Sequence, residues 1–268
     1  MKKSILSLLV GLSVASQAFA DDLYQVYQQA LQNDPATLQS QARKDAAFAS
    51  IGSSKANLLP QIDFTFGVSK SGIDSNEEGN TARISLTQSI WSAANWAGLD
   101  RAELVASQAE ASYGAAKQSL IIRTVNAYFN VLQAKDDLEF ARSEKRAIER
   151  QLEQTKQRFE VGLTAITDVH EAQAQFDTSV ASEISAENAV EISLEALREI
   201  TGSYHANISV LDTDKFSASQ PSPSNINDWL AMAEDRNLQL MAAKIGVDIA
   251  KEDIDIATSG HYPTVALT

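Results

Sequence analysis

The side chains best suited to catalysis or metal binding are few and scattered in this sequence. The three histidines, His170, His205 and His261, lie far apart, and none has a second ligand at a spacing typical of metal sites. We expect each of them to be a surface or capping residue. The chain has no cysteine, which excludes thiolate metal sites, disulfides and cysteine nucleophiles.

One acidic group has enough carboxylates to hold a divalent ion or to support acid-base catalysis. The acidic residues lie beside Ile249 and Ile256 at helical spacing, which indicates that they form the solvated face of an amphipathic helix. The sequence contains no glycine-rich phosphate-binding loop and no nucleophile elbow. We therefore predict that the protein is not an enzyme and needs no cofactor or metal. The members of the acidic group are Asp248, Glu252, Asp253 and Asp255.

The first twenty residues indicate export. Two lysines precede an apolar stretch from Ile5 to Val14, and a small-x-small cleavage site ends at Ala20. The stretch is too short for a transmembrane helix, which needs about 20 apolar residues. We predict a signal peptide at residues 1–20, whose removal changes the formal net charge from -13 to -15 because it carries two lysines and no acid. An acidic chain without clustered lysine and arginine is not expected to bind nucleic acid.

Helical periodicity dominates the rest of the sequence. Apolar residues at steps of three and four predict a helix over 23–57, interrupted near Pro35, and a long helical hairpin over 93–201. The seam of the first long helix has one extra four-residue step, typical of a coiled coil with a stutter. At about 1.5 Å per residue this helix would reach on the order of 100 Å. A bend is predicted at Gly162 to Ala165, with Thr164 or Thr167 as the next helix cap. The apolar side of the return helix is predicted to contain Phe176, Val180, Ile184, Val190, Leu194 and Leu197.

A period of two replaces the helical period over residues 60–91. Two apolar rows alternate with polar residues, and a polar loop from Lys70 to Asn80 separates them. Each row has about the length of a transmembrane strand, and Trp91 suits an aromatic girdle at the membrane interface. No later segment is long and apolar enough to cross a membrane as a helix. If the protein enters a membrane, we therefore expect it to do so as strands of a barrel. The alternation alone is equally typical of a half-buried hairpin on a soluble helical domain.

The end of the sequence repeats its beginning at a spacing of 203 residues. Pro60 aligns with Pro263, and the alternating residues Val265 and Leu267 fall where Ile62 and Phe64 lie. We predict a first repeat at 21–226, closed by an irregular connection at 203–226, and the start of a second repeat at 227–268. We also expect this sequence to be about the first half of a longer chain.

Six stretches carry a resemblance to a known family: Val26 to Pro35, Leu58 to Gln61, Leu86 to Trp91, Ala127 to Leu132, Gln157 to Val169 and Leu197 to Gly202. In this order along the chain, they resemble the TolC family of outer-membrane efflux proteins. The family resemblance implies a homotrimer whose antiparallel coiled-coil helices form an α-helical periplasmic tunnel joined to a twelve-stranded outer-membrane β-barrel. The expected fold is thus mainly α with a transmembrane β-hairpin, in a duplicated architecture.

The resemblance also implies partners and sites. It implies an exit duct for multidrug efflux and type I secretion that docks onto a periplasmic adaptor and an inner-membrane transporter. Thr167 and Asp168 match residues that help to hold the periplasmic entrance shut. The adaptor-docking tip is predicted at Arg158, Phe159, Val161, Gly162 and Leu163. The residues expected to face outer-membrane lipid are Ile62, Phe64, Phe66, Val68, Ile84 and Leu86.

A periplasmic coiled-coil adaptor or scaffold is the alternative function. Such proteins also use long helical hairpins, but they lack a duplicated, alternating strand pair flanked by helices. The segment from Ile62 to Trp91 therefore distinguishes the two hypotheses.

Overall fold

The computed structural model describes residues 21–71, 77–211 and 220–268. The predicted signal peptide lies outside the described residues, as do positions 72–76 of the polar loop and 212–219 of the irregular connection. The described elements are α1 (Leu23–Asn33), α2 (Pro35–Ala56), β1 (Gln61–Ser71), β2 (Glu77–Trp91), α3 (Ala93–Glu160), α4 (Ile166–Thr201), α5 (Ile226–Arg236), α6 (Leu238–Ser259) and β3 (Val265–Leu267).

Local chemistry accounts for the break between α1 and α2. The Asp22 side chain accepts a hydrogen bond from the backbone N–H of Tyr24 and so begins α1. Asp34 ends it in an extended conformation, and Pro35 starts α2, where a missing N–H costs nothing. Arg123 donates two hydrogen bonds to the buried Asp34 carboxylate, at 2.9 and 2.7 Å. The residue at the predicted interruption, Asp34, is thus held by a bidentate ion pair with Arg123.

The chain divides into two compact units. The first contains α1, α3 from Leu120 onward, and α4. Its core joins one face of α1 to the seam between the two long helices, and the Tyr128 hydroxyl at its edge donates to the carbonyl of Ser209 (2.6 Å). The residues of this core are Val26, Ala127, Tyr128, Val131, Ala134, Val190, Leu194, Leu197 and Ile208.

Further toward the bend, the seam also contains small and charged residues. Lys145 of α3 lies at a seam position, and it donates to Glu183 of α4. Arg142 donates to Glu187 (2.8 Å) beside that pair. The prediction that Ile184 lies on the apolar side of α4 was wrong, since Ile184 is exposed and Glu183 is turned inward. Ala172 and Ser179 are buried on the same side, because small side chains let the two helices approach closely.

The burial of His205 also differs from the prediction of a surface or capping residue. It is only 2 % exposed, and its ring nitrogens lie 2.7 Å from Asp21 Oδ2 and 3.0 Å from Thr201 Oγ1. The first described residue, Asp21, additionally forms a bridge with Ile208. His205 is therefore a satisfied core histidine that ties the start of the described chain to the end of α4.

The second unit contains α2, the three strands, the first part of α3, and α5 and α6. The strands form one antiparallel sheet in the order β1-β2-β3. None of the helices in the described ranges is both long and apolar enough to cross a membrane.

The element bounds repeat at the spacing found in the sequence. Helices α1 and α5 have eleven residues each, α2 and α6 have 22 each, and both pairs are displaced by 203 positions. The caps repeat as well, since Asn225 begins α5 as Asp22 begins α1. Val265 starts β3 shortly after the position that corresponds to Gln61, so the strand also recurs.

Candidate functional site

The bend between the two long helices has a defined backbone geometry. The N–H of Leu163 donates to the carbonyl of Arg158 (2.8 Å), and the N–H of Gly162 donates to that of Phe159 (2.9 Å). This pair of bonds is the Schellman motif, and it requires Gly162 at φ 77°, a left-handed conformation that glycine adopts without strain. The motif satisfies two carbonyls at the end of α3 and turns the chain toward α4.

Apolar side chains surround this turn and remain exposed. Val161 and Leu163 are 69 % and 68 % exposed, and Phe159 and Ile166 are 40 % and 46 % exposed. Arg158, Phe159, Val161, Gly162 and Leu163 therefore form one continuous surface, called the tip here. Large exposed apolar residues grouped at one point of a charged chain are typical of a protein contact.

Asp168 lies in the first turn of α4, directly beside the tip. Its Oδ2 accepts hydrogen bonds from the Thr164 hydroxyl and from the backbone N–H of Ala165 (3.3 Å). These donors, Thr164 first, hold the pKa of Asp168 below the usual range of an aspartate. The Thr167 hydroxyl and the positive charge of Arg158 lower the pKa further. The carboxylate is exposed, so it is an ionised acceptor available to a donor from outside.

The helix cap differs from the sequence prediction. The residue before α4 is Ala165, and neither Thr164 nor Thr167 takes that position. An alanine side chain cannot accept a hydrogen bond, so only the second bond of a capping box is present, in which the Asp168 carboxylate accepts from the Ala165 N–H. The sequence prediction missed Thr164 as a partner of Asp168, although the four-residue spacing between the two was available as a signal.

The strand pair carries the second candidate surface. Cross-strand pairing sets Ile62 opposite Leu86 and Phe64 opposite Ile84, with Phe66 opposite Ala82 one pair further along. The six residues predicted to face lipid thus share one face, called the apolar strand face here, and all six are exposed. They are Ile62, Phe64, Phe66, Val68, Ile84 and Leu86.

The other face of the same strand pair is polar. Asp63 pairs with Ser85, and Thr65 pairs with Arg83. A two-stranded ribbon with one apolar and one polar face, both uncovered, has the pattern of a strand pair between lipid and a water-filled lumen. A hairpin packed on a soluble domain would bury its apolar face, and in the described part of the chain nothing covers it.

The described ranges contain no group of three or more histidine or acidic side chains arranged to share a metal ion. In the acidic group of α6, Asp253 pairs with Arg101 (2.5 Å) and Asp248 with Lys251 (2.6 Å). These contacts are those of an ion-paired helix face.

The chain matches the model of a known protein family. Residues 26–203 match the model of the family described as outer membrane efflux protein, and this match covers most of the chain. The chain belongs to this family.

Relatives of the chain agree with the assignment. It is 46 % identical to the outer membrane protein TolC of Vibrio cholerae serotype O1, over 99 % of this chain and 62 % of the relative. It is 24 % identical to the alkaline protease secretion protein AprF of Pseudomonas aeruginosa, over 96 % of this chain and 56 % of the relative. The chain thus spans less than two thirds of the length of these curated relatives.

A solved structure supports the fold. The CmeC outer membrane channel of Campylobacter jejuni superimposes with a TM-score of 0.73 at 18 % identity, over 91 % of this chain and 54 % of the channel. Membership in the outer membrane efflux protein family confirms the predicted mainly helical fold with a small sheet, and it confirms that the protein is not an enzyme. It also places the protein in the cell outer membrane, extending into the periplasm.

Proposed function

We propose that this chain is part of a trimeric outer-membrane channel that serves as the exit duct for multidrug efflux and type I protein secretion. The observation that carries the proposal is the apolar strand face, which is exposed while the opposite face of the same two strands is polar. The efflux family assignment and the secretion protein among the relatives favour this class of cargo.

The need for a closed sheet favours an oligomer. Lipid cannot satisfy the hydrogen bonds of a free strand edge, so a membrane sheet has to close into a barrel. The described sheet has only three strands, with β3 paired to β2, and the 203-residue repeat favours a second strand pair that includes β3. Two strand pairs per chain remain below the eight strands of small known barrels. Three copies with two pairs each provide a barrel of twelve strands, and outer-membrane lipid surrounds it.

The tip is the proposed contact with the periplasmic adaptor, which in turn connects the channel to an inner-membrane transporter. It combines a rigid backbone turn with exposed apolar side chains at the end of a long helical pair. A rigid apolar surface loses little conformational entropy when it binds, which suits a docking site.

Thr167 and Asp168 are proposed to hold the periplasmic entrance closed. Asp168 is ionised and presents its carboxylate beside the tip, where a donor from a second repeat or a neighbouring copy can reach it. Charge-assisted hydrogen bonds are strong enough for such a lock and can be broken without unfolding the helix that holds them.

The adaptor or scaffold hypothesis explains less. It accounts for the helical hairpin but gives no role to the apolar strand face. The chain also belongs to the outer membrane efflux protein family, so we do not propose the alternative.

Reconstitution of the full-length protein tests the proposed function. We expect the purified protein to fractionate with outer membranes, to migrate as a heat-modifiable trimer, and to form discrete conductance steps in planar bilayers. A monomer that stays in the periplasmic fraction and forms no conductance steps would contradict the proposal.

A further inference from the structure

The inference concerns the hydrogen bonds around Asp168 and rests on its proposed role in the gate. Two donors, the Thr164 hydroxyl and the Ala165 N–H, reach the same carboxylate oxygen, Oδ2. Two bonds that end on one oxygen restrict rotation of the carboxylate about its terminal bond, a torsion that is otherwise broad. The orientation of Oδ1, the second oxygen, is thereby set by this chain before any partner arrives.

Of these two donors, only Thr164 is a side chain. The Ala165 N–H belongs to the backbone at the start of α4 and would persist with almost any residue there. The Thr164 hydroxyl depends on the residue type, and the side chain is half-buried in the bend. The Thr167 hydroxyl also hydrogen-bonds the carboxylate, but the Thr164 hydroxyl has the largest effect on it, so the orientation of Asp168 should respond to loss of the Thr164 hydroxyl, four residues upstream.

We propose that Thr164 is a positioning residue of the periplasmic gate, whose hydroxyl orients the Asp168 carboxylate toward the donor that locks the entrance. A lock of this kind depends on direction, because hydrogen bonds weaken steeply when the donor angle falls toward about 120°. Loss of the Thr164 hydroxyl leaves the Asp168 charge in place but lets the carboxylate turn away.

A purely structural role for Thr164 is the competing explanation. The same hydrogen bond joins the bend to the first turn of α4 and would stabilise that turn even if Asp168 had no partner. The two explanations predict different results. A positioning role acts through Asp168 and changes conductance, whereas a bond that only stabilises the bend changes stability and leaves conductance unaltered.

Single-channel conductance of the full-length trimer separates the explanations. The key variant is Thr164→Val, which keeps the shape of the side chain and removes its donor. Thr164→Ser restores the donor. Thr155→Val is the matched control, because Thr155 lines a groove together with Thr164 and Asp168, but its hydroxyl donates to the Gln151 carbonyl of its own helix (2.9 Å).

We expect Thr164→Val to raise conductance, by less than Asp168→Ala does, while Thr164→Ser and Thr155→Val stay at the wild-type value. Thr164→Val should add nothing when Asp168→Ala is already present. Wild-type conductance of Thr164→Val, or an additional increase in the double variant, would overturn the positioning role while leaving the gate intact. Loss of the trimer in both Thr164→Val and Thr164→Ala would make the hydroxyl structural and overturn it as well.

Failure of the gate has its own signature. If Asp168→Ala leaves conductance unchanged, the proposed gate is wrong and the positioning role of Thr164 is overturned with it. If Asp168→Ala opens the channel and Thr164→Val does not, only the role of Thr164 is overturned.

Discussion

The seam of the helical hairpin and the apolar strand face are both regular rows of apolar residues, but their environments are opposite. In the seam, Leu120 and Val131 are completely buried. In the strand face, Phe64 is 67 % exposed and Ile84 is 74 % exposed. The chain therefore covers the helical row with its own residues. Among the described residues, nothing covers the strand row. The comparison supports the proposal that the strand row faces an apolar environment outside the chain.

The largest expected effect is in the seam. Leu197 is fully buried in the core that joins α1, α3 and α4. Leu197→Ala should lower the free energy of unfolding by about 2–5 kcal/mol, because it removes apolar contacts and leaves a cavity. Thermal unfolding of the full-length protein in detergent measures this loss. Leu197→Met, which nearly conserves volume, should cost less than about 1.5 kcal/mol; an equal loss in both variants would mean that the seam is not packed as described.

A charge on the strand face should have a slightly smaller effect that depends on lipid. Phe64→Arg should cost about 2–4 kcal/mol if the residue lies near the bilayer midplane, and should impair assembly. Ser85→Arg is the matched control, because Ser85 is next to Ile84 in sequence but lies on the polar face opposite Asp63. The yield of heat-modifiable trimer in outer membranes compares the two. Equal tolerance of both arginines would argue against a lipid-facing strand pair.

A charge at the tip should affect docking far more than folding. A side chain added at Gly162 meets no heavy atom within 4 Å, so its cost is the left-handed backbone, about 1–2 kcal/mol for most residues and less for Asn or Asp. Gly162→Asp places a charge between Val161 and Leu163 and should abolish drug efflux in cells, while trimers still form. Gly162→Asn has the same shape without the charge and should retain most of the efflux. Loss of the trimer in Gly162→Asp would assign the tip a structural role instead.

The smallest expected effect is a pH dependence of the polar part of the seam. The hydrogen bond from Lys145 lowers the pKa of Glu183 below that of an ordinary glutamate. A carboxylate with a lowered pKa in the folded state stabilises the fold above its unfolded pKa, about 4.3, and loses this contribution as the pH falls through the folded value. Glu183→Gln should therefore be less stable than the wild type at pH 7, and this difference should disappear at acidic pH. A difference that is independent of pH would show that the ion pair contributes nothing.

The sequence predicted the elements and the buried positions of α3 well, because both follow from periodicity. Every position of the three- and four-residue series from Leu120 to Leu152 is buried or half-buried, including Lys145. The strand register also follows from alternation, since shifting it by one residue would place Phe64 on the polar face. The 203-residue repeat was visible because helix, proline and strand recur in the same order.

The parts that the sequence did not predict depend on contacts between distant residues. His205 is buried because Asp21 and Thr201 bond both of its ring nitrogens, and Asp21 lies at the far end of the unit in sequence. Ile184 is exposed because the pair between Glu183 and Lys145 turns the other side of α4 inward. Thr164 was predicted as a possible helix cap, but its hydroxyl donates instead to the Asp168 side chain in the first turn of α4. None of these contacts follows from hydrophobic spacing alone.

The most direct test of the central claim is a measurement of which face of β1 meets lipid. The 268 residues contain no native cysteine, so single cysteines at each position from Ile62 to Val68 can carry a spin label in bilayers, in a full-length protein with any cysteine outside these residues replaced by serine. We expect labels at 62, 64, 66 and 68 to be more accessible to oxygen, which concentrates in lipid. Labels at 63, 65 and 67 should be more accessible to a water-soluble nickel complex. Equal nickel accessibility at all seven positions would contradict the assignment of this face to the membrane.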